Sequence, residues 1–140
     1  MKEYTTNNIE ETGRVAKEIA QNLQGGEVLA LSGNLGAGKT VFVKALAKAM
    51  GIEDNITSPT FVLMKVYDLE LGKISKLVHV DCYRLEGQED LADIGLSDYL
   101  AFDNSVVVIE WADKIINLPD KTIKIKIESL GGDQRRIIVD

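Results

Sequence analysis

At 140 residues, 45% hydrophobic and 27% charged, the chain is long enough for one domain with its own core and short for two. Sixteen Lys and Arg against 22 Asp and Glu leave a formal net charge of −6. That balance argues against a free-standing nucleic-acid binder, whose affinity comes largely from neutralising phosphates. Direct DNA binding is therefore not expected, although a small phosphate ligand held by one cationic loop is compatible with it.

The amino terminus, from Met1 to Asn8, is polar and carries no apolar stretch of signal-peptide length. No window reaches the ~18 consecutive apolar residues of a membrane span, so a cytoplasmic protein without membrane contact is expected. Ile9, Val15, Ala16, Ile19, Ala20 and Leu23 recur at helical spacing, with Asn7 or Asn8 as the N-cap and Gly25-Gly26 beyond the end. Val28 to Leu31 is a continuous apolar run, the pattern of a strand buried on both faces. Val41, Phe42, Ala45, Leu46 and Ala49 mark a second helix that Gly51 stops.

Phe61 to Leu69 and Lys73 to Asp81 predict two strands turned around Gly72, as an antiparallel pair. Short, broken helix is expected from Glu86 to Phe102. Val106 to Ile109 is a second fully apolar strand. Ile123, Ile125 and Ile127 alternate with Lys124 and Lys126, so that strand shows one face to water, and Gly131-Gly132 turns it into a last strand ending at Asp140. Strands and helices in this alternation predict a single α/β domain over residues 1–140. Its sheet should be mixed and largely parallel, flanked by helices, with a C-terminal antiparallel hairpin. The one cysteine, Cys82, excludes an intramolecular disulfide and a multi-cysteine zinc site, and is expected as a small core side chain. From Leu85 to Asp113 there are eight acids and no Lys or Arg, which suits either a solvated face or a dock for a basic partner.

Gly33-Asn34-Leu35-Gly36-Ala37-Gly38-Lys39-Thr40 satisfies G-x-x-x-x-G-K-[ST], preceded by the required strand and followed by the required helix. Glycines let the backbone wrap an anion with its N–H groups turned inward, and the start of the following helix adds positive potential. Lys39 is expected to bridge β- and γ-phosphates and the Thr40 hydroxyl to bind Mg²⁺. Two apolar strands end in an acid at the position where open α/β sheets bind ligands: Leu77 to Asp81, and Val106 to Glu110. Asp81 has the shape of a magnesium-holding acid, and Glu110 could share the metal or orient the attacking water. His79, between apolar neighbours, is favoured as a core histidine over a catalytic base. Trp111 beside Glu110 either packs or shapes the site. Tyr83 and Arg84 either brace the Asp81 turn or contact a partner or phosphate.

Four motifs in order, the G-x-LGAGKT loop at Gly33 to Thr40, Ser58-Pro59-Thr60-Phe61, His79 to Leu85 (H-V-D-C-Y-R-L) and Glu110-Trp111, make the chain resemble the TsaE (YjeE) family of bacterial P-loop ATPases. The likeness runs from the Glu10-Glu11-Thr12 helix to the C-terminal hairpin. It implies a P-loop NTPase fold and Mg²⁺-dependent ATP hydrolysis in making threonylcarbamoyladenosine on tRNA. The implied partners are TsaB and TsaD, which bind and modify the tRNA, so tRNA contact would be indirect. It also implies ATP contacts at Ile9, Gly33, Leu35, Gly36, Ala37, Gly38, Lys39, Thr40 and Gly132, with adenine between Ile9 and the Gly131-Gly132 turn. Lys39, Asp81 and Glu110 form the implied catalytic set, Thr40, Asp81 and Glu110 the metal set, and Ser58 and Thr60 a γ-phosphate switch. Asn34 stands where the family usually has an acid, and Val41 where a second hydroxyl is common.

Competing functions are a small-molecule or nucleotide kinase and a non-hydrolysing nucleotide sensor. A kinase usually closes an Arg-bearing lid, whereas the chain has only Arg14, Arg84, Arg135 and Arg136. A GTPase lacks support because neither N-K-x-D nor D-x-x-G occurs. Arg14 in the first helix and Arg135-Arg136 in the last strand are not obviously near the γ-phosphate. Arg84, closest in sequence to the site, follows Asp81 on a turn that could serve partners instead, so slow turnover without partners is expected.

Overall fold

The computed structural model describes residues 1–56, 64–85, 95–100 and 103–140. Strands β1 (Lys2–Thr6), β2 (Val28–Ser32), β3 (Met64–Leu71), β4 (Ile74–Asp81), β5 (Ser105–Glu110), β6 (Ile123–Gly131) and β7 (Gln134–Val139) form one sheet in the order β1-β7-β6-β2-β5-β4-β3. The three central pairings, β6 with β2, β2 with β5 and β5 with β4, are parallel; the outer pairings are antiparallel. The chain is thus an α/β domain with a mixed sheet, parallel through its centre, ending in the expected β6–β7 hairpin.

Helices α1 (Ile9–Gln21) and α2 (Lys39–Ala49) cover one face, where Val15, Ala16, Phe42, Val43 and Leu46 pack on Leu29, Leu31, Leu77, Val106 and Val108. The other face buries Val28, Ala30, Val78, Val80, Val107 and Ile109 under Leu96, Ala112 and Ile115, beside the short helix α3 (Ser97–Leu100). Two-sided burial explains the apolar runs of β2 and β5, as expected from their lack of alternation. Cys82 is fully buried on the second face, and burial, with Asp81 adding to it, pushes its thiol up to about 12.

Asn8 caps α1, its side chain accepting from the Glu11 N–H at 2.9 Å, while Glu11 reaches back to the Asn7 N–H. Three boundaries differ from expectation. Strand β3 is described from Met64 to Leu71 and β4 begins at Ile74, because the reversal takes up Gly72 and Lys73. Residues Lys2–Thr6, polar in sequence and with no strand expected there, form an edge strand paired with β7. Only Thr6 of β1 is buried, so the apolar alternation that reveals a strand is missing. Of the segment expected as broken helix, Ser97–Leu100 is helical, and most of the rest lies outside the described residues.

Candidate functional site

The phosphate-type loop leaves the carboxyl end of β2, the central strand of the parallel region. Gly33 is required by contact: a Cβ there would lie 2.4 Å from the Ile127 carbonyl oxygen of β6. Gly38 is required by conformation, since it starts α2 at φ 100°. No side chain caps α2, and its first turn holds no acid. The first N–H groups of that helix are therefore offered to an anion rather than to the protein itself.

Lys39 opens the helix and is only 6% exposed. Its Nζ donates to the carbonyls of Gly33 and Asn34 and sits 4.0 Å from the centroid of the Trp111 ring. Burial holds the Lys39 ammonium below the usual lysine value, opposed by the charges of Glu110, Asp81 and Asp113.

The two strand-end acids meet because β4 and β5 run parallel with Asp81 opposite Glu110. Leu31 of β2 pairs with Glu110 on the other side, which brings the loop to the same edge. The Thr40 hydroxyl donates to Glu110 Oε1 at 3.4 Å, and the second oxygen, Oε2, lies 2.6 Å from Nε2 of His79. Asp81 accepts from the Tyr83 N–H at 2.9 Å, which fixes the turn leaving β4. Thr40 and the two carboxylates present oxygen donors of the kind a hard divalent cation takes. Trp111, with φ 58°, is the one non-glycine residue at positive φ among the described residues; its ring lies 5.1 Å from that of Tyr83. Lys114 donates from Nζ to the carbonyls of Tyr83 and Leu85, tying the two strand exits together.

Lys39, Thr40, Asp81, Tyr83, Glu110 and Trp111 line a cleft of about 450 Å³. Of the residues expected at the site, Ile9, Leu35, Gly36, Ala37, Gly38, Lys39, Thr40, Asp81 and Glu110 all line it. Gly33 lies behind the loop against β6 instead of on the cleft wall. Gly132 contributes its carbonyl to Arg135 rather than lining the cleft, while its neighbour Asp133 does line it. Ser58 and Thr60 lie outside the described residues.

Arg135 is not among the expected site residues, yet it lines the cleft and grips the loop from the hairpin. Its Nε donates to the Ala37 carbonyl at 2.6 Å and one terminal nitrogen to the Gly36 carbonyl at 3.3 Å. The other terminal nitrogen donates to the carbonyls of Gly132 (2.7 Å) and Gln134 (2.8 Å) and to Ser129 Oγ (3.3 Å). Thr12, whose Oγ1 is 2.7 Å from that of Thr6, and Val41 also line the cleft unforeseen. No spacing in the sequence signals Arg135; only the β6–β7 register brings it there.

Compared with known proteins, residues 6–137 match the family model described as threonylcarbamoyl adenosine biosynthesis protein TsaE. The chain belongs to the TsaE family. Among relatives named tRNA threonylcarbamoyladenosine biosynthesis protein TsaE, that of Treponema pallidum is 40% identical over 131 residues, 93% of each chain. The Bacillus subtilis relative is 39% identical over 135 residues, covering 96% of this chain and 82% of its own. That of Aquifex aeolicus is 38% identical over 141 residues, covering 98% and 94%. The crystal structure of Bacillus subtilis YdiB superposes with a TM-score of 0.76 at 33% identity, covering 99% of this chain and 83% of that one. The TsaE resemblance read from the motifs therefore holds over nearly the whole chain, with the role in tRNA threonylcarbamoyladenosine biosynthesis that names the family. No helix among the described residues is long and apolar enough to cross a membrane.

Proposed function

We propose that the chain is the Mg²⁺-dependent ATP-binding and ATP-hydrolysing subunit of threonylcarbamoyladenosine formation on tRNA, working in the cytoplasm with TsaB- and TsaD-type proteins. The observation that carries this reading is the convergence of Lys39, Thr40 and Glu110 at the uncapped start of α2. Hydrogen-bond donors and a buried ammonium are gathered for a polyphosphate, and a hydroxyl and two carboxylates for its metal. Bound Mg²⁺ supplies neutralisation of charge on the phosphates. Lys39 orients the transferred phosphate, and Glu110, anchored on one oxygen, offers the other to the reacting end of the cleft. Ile9 and Asp133 also line the cleft, which supports placing adenine between α1 and the β6–β7 turn.

Lys39 and Arg135 are the cations lining the cleft among the described residues, and Arg135 is engaged by neutral oxygens of the loop and hairpin. Charge growing on the transition state then has one ammonium to meet it, which favours slow turnover by the chain alone and stimulation by TsaB and TsaD. The test is phosphate release measured with the purified chain, then with both partners added. A clear rise on addition is expected. Fast hydrolysis alone with no gain overturns the partner assignment, and GTP bound as tightly as ATP overturns the choice of adenine.

A further inference from the structure

Strand β4 points Leu77, His79 and Asp81 to the face covered by α1 and α2, opposite Val106, Val108 and Glu110 of β5. The neighbours Leu77, Val106 and Val108 are core residues, and an apolar side chain at position 79 would continue that packing. Instead the chain buries an imidazole completely. Its Nδ1 has no hydrogen-bond partner among the described residues, so the ring carries a desolvation cost that packing alone does not repay. Its Nε2 lies 2.6 Å from Oε2 of Glu110, itself only 2% exposed. A carboxylate can only accept, so Nε2 carries the hydrogen of this contact. The two oxygens of Glu110 are thereby divided: Oε2 is held towards the core and Oε1 faces the Thr40 hydroxyl.

We propose that His79 is a positioning residue that locks the Glu110 carboxylate, leaving Oε1 as the oxygen presented to the divalent cation beside Thr40. The proposal rests on the Mg²⁺-ATPase reading above and adds to it the group that sets the geometry of its carboxylate. A hydrogen bond from behind a ligand fixes its rotamer, and loss of such support typically lowers metal affinity or activity about 10- to 100-fold. A histidine serving the core alone would affect nucleotide binding equally with and without metal.

The experiment compares His79→Leu, His79→Gln and Glu110→Gln with the wild-type chain at fixed pH. Two quantities are read: the Mg²⁺ concentration that half-activates hydrolysis, and ATP affinity in EDTA. For His79→Leu the Mg²⁺ requirement should rise about tenfold or more while metal-free ATP affinity stays within about twofold. His79→Gln, whose amide can donate towards Glu110, should recover part of the loss. An unchanged Mg²⁺ requirement in both folded variants, or equal losses with and without metal, overturns the proposal.

Where neither variant folds, the wild-type chain decides, because His79 is its only histidine and ring-¹⁵N labelling gives one residue's signals. Adding Mg²⁺ to the ATP-saturated protein should move the Nε2 signal beyond its position with ATP in EDTA; an unmoved signal overturns the proposal. A Glu110→Gln variant with wild-type Mg²⁺ dependence defeats the ATPase reading and this inference together. Unaltered His79 variants beside an impaired Glu110→Gln defeat the inference alone.

Discussion

The two walls of the cleft are built by opposite strategies. The phosphate wall is a local structure: seven consecutive residues from Leu35 to Val41, joined by acids at the ends of two adjacent parallel strands. The hairpin wall is assembled from the two ends of the chain, with Ile9 and Thr12 from α1 facing Asp133 and Arg135 from β7 and its turn. Lys39 and Arg135 belong one to each wall and touch the same loop. Lys39 has carboxylates nearby as counter-charges and sits inside the cleft, whereas Arg135 spreads its guanidinium over neutral oxygens and braces the loop backbone. One wall carries charge for chemistry, and the other holds the first wall in shape.

The largest effect should come from the phosphate wall. Glu110→Gln keeps shape and can still accept from Thr40, yet loses the charge for metal and water. Hydrolysis should fall on the order of a hundredfold or more, with melting and circular dichroism near wild type. Wild-type turnover in that variant would leave Glu110 a structural acid and remove the division between the walls.

Lys39→Ala removes the ammonium from the anion site. A charge-assisted contact contributes about 1.5–3 kcal/mol, so ATP affinity measured by calorimetry should drop roughly 10- to 100-fold. The depressed Lys39 value also fixes a pH dependence. ATP affinity should hold on the acid side of the folded-state value and fall as the pH rises through it, earlier than for an exposed lysine. For folding the sign is opposite. A lowered value means the native chain binds fewer protons in that window, so burial of Lys39 costs stability at neutral pH and the cost fades towards alkaline pH. The stability difference between wild type and Lys39→Met, followed against pH, reads this directly.

Arg135→Ala tests the hairpin wall. Losing net hydrogen bonds of about 1 kcal/mol each should weaken ATP binding roughly tenfold. Amide exchange in residues 33–38 should speed up as well. Arg135→Lys should not restore binding, because one ammonium cannot reproduce a fork spread over separate carbonyls. Unchanged exchange in the loop would show that the two walls are independent. The smallest effect is expected at the α1 cap, where Asn8→Ala should lower stability by about 1 kcal/mol in thermal melts. ATP affinity should change little, since Asn8 does not line the cleft.

Residue order alone determined the parts whose causes are local. A glycine-rich loop before a helix must turn its N–H groups inward. The apolar runs at Val28 to Leu31 and Val106 to Ile109 must be buried on both faces, and acids ending such strands fall at the ligand edge of the sheet. The family likeness was legible for the same reason, since its motifs are short strings. Strand order decided the rest. Lys2–Thr6 is a strand because β7 offers it an edge, not because its own pattern demands one. Arg135 reaches residues 36 and 37 because β6, its hairpin partner, pairs with the strand that launches the loop. His79 meets Glu110 because β4 lies beside β5 in a register that places Asp81 opposite Glu110. In each case the partners lie many residues apart, and their encounter depends on which strands become neighbours, a choice made by the packing of the whole sheet.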